Sequence, residues 1–121
     1  MPIVDIELVG ASGSEFHALS ADAVAGAVGE ALGSADGHTW VRLRHLASSA
    51  YAENGCVLAE TELPVFVTVL HARPPTGAAL SAEIAALTLA VARCVRRSAE
   101  RVHVLYAPAG EGRLAFGGRL V

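Results

Sequence analysis

The residue with the most distinctive chemistry is Pro2, because removal of Met1 would leave it as a free secondary amine at the head of an apolar segment. A secondary amine of that kind serves as a base or nucleophile, a role closed to any internal proline, whose nitrogen is an amide. The chain contains no lysine, so a lysine Schiff base and the usual anchor for pyridoxal phosphate are excluded. Amine chemistry therefore falls to the N-terminus, and no cofactor is expected. Around it stand cations and imidazoles: Arg42 and Arg44 alternate along one segment, Arg73 follows another, and His103 lies in a third. Each also has a plain structural reading, as a solvated edge charge, an exposed turn residue or a histidine satisfied in a strand.

Composition limits the classes open to such a chain. A length of 121 residues with 53% hydrophobic content suits one domain, 1–121, with ample core. Nine arginines against twelve acids, a formal charge of −3, give no general electrostatic reason to bind nucleic acid or an anionic membrane. Cys56 and Cys94 form no CxxC pair and have no histidine at ligand spacing, so no metal site or disulfide scaffold is expected, and both read as buried packing residues. The N-terminus lacks a basic region followed by an apolar core, and charge is expected to interrupt the apolar stretches short of a membrane span. A cytoplasmic address is the expectation.

The elements that must position these groups follow from periodicity. Val4, Ile6 and Leu8 alternate with Asp5 and Glu7, the pattern of a strand with one apolar face. A loop is expected at Gly10 to Ser14. Val24, Val28 and Leu32 recur every four residues behind Ser20, a good helix N-cap, and Gly33 stands where that helix should stop. Thr39 to Leu46 alternates again, with Arg42 and Arg44 on one side. The order then repeats: Pro64 opens the strand Val65 to His71, Arg73, Pro74 and Pro75 make a turn, and Leu80, Ile84, Leu87, Val91 and Val95 form a helical stripe that ends near Arg93, Arg96 and Arg97. Val102 to Tyr106 is a last main strand, and the glycines from Gly110 to Gly118 surround a short terminal ribbon.

The two prolines lie 62 residues apart, with matching strand, helix and strand after each, which predicts duplicated β-α-β units at about 2–60 and 64–121. The fold class is α+β: a four-stranded mixed sheet with two helices on one face. Val65, Phe66, Val67, Val69 and Leu70 supply apolar side chains to both faces of the third strand. The face without helices then needs a cover, and self-association is the economical one.

Met-Pro followed by Ile3 to Val9, the duplicated order, Val41-Arg42-Leu43, Arg101-Val102-His103-Val104 and the ending Gly112 to Leu120 together resemble the tautomerase superfamily. The ending is similar to that of 4-oxalocrotonate tautomerase, while the length and the Arg101 segment are similar to macrophage migration inhibitory factor and 5-carboxymethyl-2-hydroxymuconate isomerase. The resemblance implies a homotrimer with sites between subunits, and an isomerase that moves a proton between carbon and oxygen of a small 2-oxo or 2-hydroxydienoate carboxylate. Pro2 would be the general base, and Arg42 the cation that holds the carboxylate, with Arg44, Arg73 and His103 as further substrate-binding candidates. Tyr106 is expected to face away from His103 into core or interface, and His45, His71 and Phe116 are weaker pocket candidates. The pattern departs from the family in three places: no arginine in Gly10 to Ser14, Ser34 where migration inhibitory factor has lysine, and Leu105 in place of a polar pocket residue. Dehalogenase, hydratase or decarboxylase chemistry on the same scaffold, and a catalytically weak trimeric binding protein, are the alternatives.

Overall fold

The alternation of small β-branched and charged residues after Pro2 suits a strand with two unlike faces, and a computed structural model, describing residues 1–10 and 12–121, places it at the centre of the sheet. The main elements are β1 (Ile3–Val9), α1 (Gly13–His17), α2 (Ala21–Ala31), β2 (Trp40–Leu46), β3 (Val65–Leu70), α3 (Gly77–Val95) and β4 (Val102–Tyr106). A small ribbon of β5 (Ala115–Phe116) and β6 (Arg119–Leu120) follows. The sheet order is β2-β1-β3-β4, parallel within each strand-helix-strand half and antiparallel where β1 meets β3. β3 starts at Val65 and β4 at Val102, each 62 residues after Ile3 and Trp40.

One face of this mixed sheet carries the core. Val4, Ile6 and Leu8 of β1 and Val65, Val67 and Val69 of β3 are buried, as are Val24 and Val28 of α2 and Leu87, Val91 and Val95 of α3. Ser20 caps α2, its side chain accepting from the Ala23 amide at 3.1 Å. α3 lacks a side-chain cap at Thr76 and ends on Arg96 in the left-handed region, φ 56°. Such a conformation terminates a helix and normally falls to glycine. At the far end of β1 the requirement for glycine is steric as well: Gly10 has φ +80°, and a Cβ there would lie 2.0 Å from Leu63 Cδ1.

Several expectations change. Of the loop expected at Gly10 to Ser14, Gly13 and Ser14 instead open a short helix, Gly13–His17, with Ser12 accepting from the Glu15 amide at 3.1 Å, and Ala11 lies outside the described residues. The serine three residues before a glutamate was its signal. Cys56 is exposed, and only Cys94 packs against the core. Arg97 does not act simply as a cation at a helix end; its guanidinium donates to Leu63 O at 2.6 Å and Val9 O at 3.1 Å, tying the segment after α3 to the end of β1 and to the chain that leads into β3. α3 is long and apolar enough to cross a membrane, 19 residues at mean hydropathy 1.7, contrary to expectation, but its Leu87, Val91 and Val95 face the sheet as a core helix does.

The helix-free face is not the apolar surface expected. Phe66, Thr68 and Leu70 of β3 are half-buried there, and beside them Asp5, Glu7, Arg42 and Arg44 make an ionic band. Apolar groups remain at the margins, with Trp40 41% and Leu105 65% exposed.

Leu87 is fully buried between the helices and the sheet, whereas Val57 is fully exposed. Leu87→Ala should cost about 2–5 kcal/mol in denaturant unfolding, and Val57→Ala less than about 0.5 kcal/mol. Equal effects would contradict the placement of the core.

Candidate active site

β1 begins where three other segments converge. Pro2 is buried, in phase with Val4 and Ile6, and its carbonyl accepts from the Trp40 amide at 3.1 Å. Trp40 meets Phe116 of the ribbon edge to face, ring centroids 4.7 Å apart. On the other side of β1 the last register pair is Ile3 with Leu70. One further step along the antiparallel ladder sets Pro2 beside His71. Met1 is present in this chain, so the Pro2 nitrogen is here an amide.

His71 belongs to a polar cluster at the edge of the core. Its Nε2 lies 3.3 Å from Glu83 Oε2, and the Tyr106 hydroxyl donates to the same oxygen. The His71 and Tyr106 rings stack with centroids 6.0 Å apart. The side chains of His71 and Glu83 are each only 14% exposed. Burial, then the hydrogen bond to Glu83, push the Tyr106 phenol far above its ordinary range, so it stays protonated as a donor. Just beyond, Arg73 Nε donates to Glu111 Oε1 at 2.5 Å, and the Gly110 and Glu111 amides bind back to His71 O and Ala72 O at 2.8 and 3.0 Å. Arg73 is thus two residues past His71, at the Pro2 end of the sheet.

The other candidates lie on the helix-free face. Arg42 grips Asp5 with two hydrogen bonds, Nε to Oδ1 at 2.6 Å and Nη2 to Oδ2 at 2.8 Å, while Arg44 Nη2 approaches Oδ1 at 3.4 Å. The cause is register: parallel pairing puts Arg42 opposite Asp5 and Arg44 opposite Glu7. A shallow hollow of about 140 Å³ is lined by Asp5, Glu7, Arg44, Phe66 and Thr68. His103 pairs with Phe66 on the next strand, ring centroids 5.7 Å apart, and is exposed on the opposite side of β4 from Tyr106. Within one chain Pro2 and Arg73 therefore share one end of the sheet. Arg42, Arg44 and His103 stand on its other face, further along β1. Among the described residues no group of three or more His, Cys, Asp or Glu is placed to hold a metal ion.

This four-stranded layout with its terminal ribbon is shared with solved structures over nearly all of the chain. A fused 4-OT wild-type asymmetric trimer superposes with a TM-score of 0.76 at 18% identity, covering 98% of this chain and 94% of that one. The macrophage migration inhibitory factor from Trichinella spiralis gives a TM-score of 0.72 at 11% identity, covering 98% and 99%. Malonate semialdehyde decarboxylase gives 0.65 at 19% identity, covering 95% and 90%. The chain shares its fold with the fused 4-OT, the migration inhibitory factor and the decarboxylase. No protein-family model and no curated protein matches the sequence.

Within this fold, Glu83 is the member of the polar cluster that the sequence conceals. It sits within the apolar stripe of α3, between Leu80 and Leu87, where a lone acid reads as solvated. Only the placement of α3 over the ends of β3 and β4 brings it to His71 and Tyr106.

The Arg42 hydrogen bonds hold the Asp5 carboxyl below the usual carboxylate range. A lowered folded-state pKa adds stability that is present above the unfolded pKa and drains away as pH falls through the folded one. Arg42→Ala should raise the Asp5 midpoint toward the ordinary range in a carboxyl-carbon NMR titration and weaken the dependence of stability on acid pH. An unchanged midpoint would show that the bidentate pair does not persist in solution.

Proposed function

We propose that this chain is a tautomerase-type isomerase, which moves a proton between carbon and oxygen of a small 2-oxo or 2-hydroxydienoate carboxylic acid. The observation that carries the proposal is Pro2 itself, buried at the head of the central strand beside His71, with Trp40 on one flank and Arg73 two residues past His71. Once Met1 is removed, Pro2 becomes a secondary amine in surroundings that disfavour its ammonium form, which is what a base working near neutrality needs. The amine takes a proton from the carbon next to a carbonyl, the carbonyl oxygen gains the electron pair and a proton to give the enol, and the prolinium returns its proton to carbon in the reverse direction or loses it to solvent, with no cofactor.

A substrate carboxylate at this end meets Arg73, whose side chain is 77% exposed and ion-paired with Glu111. Arg42, Arg44 and His103 enter the proposal through neighbouring subunits of a homotrimer, in which the helix-free faces close on one another and bring their cations to the Pro2 ends. Arg42 then binds substrate by sharing or exchanging its Asp5 partner. The fused 4-OT of the same fold is a trimer, which supports this assembly. The single domain 1–121, its two repeats and a cytoplasmic address belong to the same reading.

A structure of this fold is that of Pt0534 inactivated by 2-oxo-3-pentynoate, an electrophile suited to testing the base. A neutral amine adds to the alkyne carbon β to the ketone, and the proton it loses passes to the α carbon. Peptide mapping by mass spectrometry should find one adduct per chain, on Pro2, formed with saturation kinetics and blocked by a competing 2-oxo acid. Cys56 is exposed and competes as a thiol, so the reaction is run in a Cys56→Ser background. An unmodified Pro2 under complete processing of Met1 would contradict the proposal.

A further inference from the structure

Keto-enol exchange moves two protons, one at carbon and one at oxygen, and Pro2 accounts for the carbon side alone. We propose that His71 exchanges the oxygen-side proton, held for this task by Glu83 and Tyr106; the inference rests on the Pro2 reading above. His71 follows Leu70, the partner of Ile3, so the register brings it to the side of Pro2. Its contact with Glu83 on α3 shows that the ring turns toward the helix-covered face, the face with which Pro2 is in phase.

The hydrogen bonds fix which nitrogen is available. A carboxylate only accepts, so the His71 nitrogen that meets Glu83 Oε2 at 3.3 Å carries a proton, and the Tyr106 hydroxyl donates to the same oxygen. Neutral His71 is then the Nε2-protonated tautomer, with Nδ1 as its acceptor. Protonation at Nδ1 gives an imidazolium whose charge faces the Glu83 carboxylate. Three polar side chains from β3's end, α3 and β4 are collected where an apolar trio would pack without the desolvation cost of a charge. Such a cluster at the edge of the core, next to Pro2, has the form of a base and its orienting partners.

The transfers balance. In the keto-to-enol direction the Pro2 amine takes a proton from carbon, the C–H pair becomes the new C=C bond, and the carbonyl π pair moves to oxygen. That oxygen takes a proton from His71 Nδ1, which leaves a prolinium and a neutral imidazole. Ketonisation runs the same transfers in reverse, and exchange with water resets both groups. His71 is the catalytic residue of this step, and Glu83 and Tyr106 are positioning residues.

The test uses processed enzyme and phenylenolpyruvate as the substrate probe. His71→Gln keeps a donor for Glu83 but has no proton to exchange at neutral pH, and should lower kcat by about 100-fold, the low end for general acid-base catalysis, with KM changed less than about threefold. Glu83→Gln and Tyr106→Phe should lower kcat by smaller factors, roughly tenfold or less, because the acid remains but is less firmly oriented. Nitrogen-15 NMR of the wild-type protein supplies a readout independent of turnover and of mutant folding: neutral His71 should be the Nε2-protonated tautomer, and Glu83→Gln should shift that preference. A kcat for His71→Gln within about twofold of wild type, or an Nδ1-protonated tautomer in the wild type, would overturn the assignment. Adduct mapping with 2-oxo-3-pentynoate separates the two levels. If Pro2 is modified while His71→Gln is fully active, only the His71 assignment fails; if Pro2 resists modification, the reading beneath it fails.

Discussion

The antiparallel seam between β1 and β3 sets every other relation in the molecule. It joins the two strand-helix-strand halves, and its pairing of Ile3 with Leu70 through Leu8 with Val65 decides which side chains go under the helices. Because side chains alternate along a strand, a slip of one residue would turn Val4, Ile6 and Leu8 outward and bury Asp5 and Glu7 without water. The core thus enforces the register, and the register sets Pro2 at the end of the sheet beside His71. It also puts Asp5 where parallel pairing with β2 offers it Arg42. The meeting of Pro2 with His71 at one end and ion pairing on the open face are two outcomes of the same constraint.

Anchors at both ends of the seam keep it from fraying. At the far end, the Arg97 guanidinium bridges Val9 O and Leu63 O while the Val9 amide binds Pro64 O at 3.2 Å. At the Pro2 end, the Trp40 amide holds Pro2 O, and Gly110 and Glu111 tie the ribbon segment to His71 and Ala72. Polar side chains at the Pro2 end are therefore carried by backbone that is hydrogen-bonded on both sides. That rigidity suits groups that must meet a reacting atom at a fixed distance.

Local periodicity made much of this legible in the sequence. The alternation of Val4, Ile6 and Leu8, the four-residue spacing of Val24 and Val28, the Ser20 cap and the stripe through Leu87 and Val91 each specify an element by its own residues. Pro2 stands out by its chemistry, and Arg73 is a candidate only through the resemblance and its place after the β3 strand. Relations that depend on two distant segments were not legible. The bidentate Arg42 and Asp5 pair requires the β1 and β2 register, and Glu83 joins His71 and Tyr106 only through the axial position of α3. Tyr106 was placed on the correct side of β4 by alternation, yet nothing in the sequence said that its hydroxyl has a carboxylate to meet. The open face was expected to be apolar because Phe66 and Leu70 were weighed without their neighbours Asp5, Glu7, Arg42 and Arg44 on β1 and β2. Cys56 was expected inside from residue type alone, whereas it lies on an exposed connection after β2.

The account makes the Pro2 nitrogen its centre, since every other proposed group binds, orients or complements what that amine does. Retention of Met1 changes this one atom from amine to amide and leaves the side chains of the fold as they are. The most direct measurement therefore compares phenylenolpyruvate ketonisation by two preparations, verified by intact mass, one beginning at Pro2 and the other retaining Met1. The account expects activity in the first, falling by at least about 100-fold in the second, with matching circular dichroism and oligomeric state. Equal activity of the two preparations would contradict it, because an amide nitrogen cannot serve as the base.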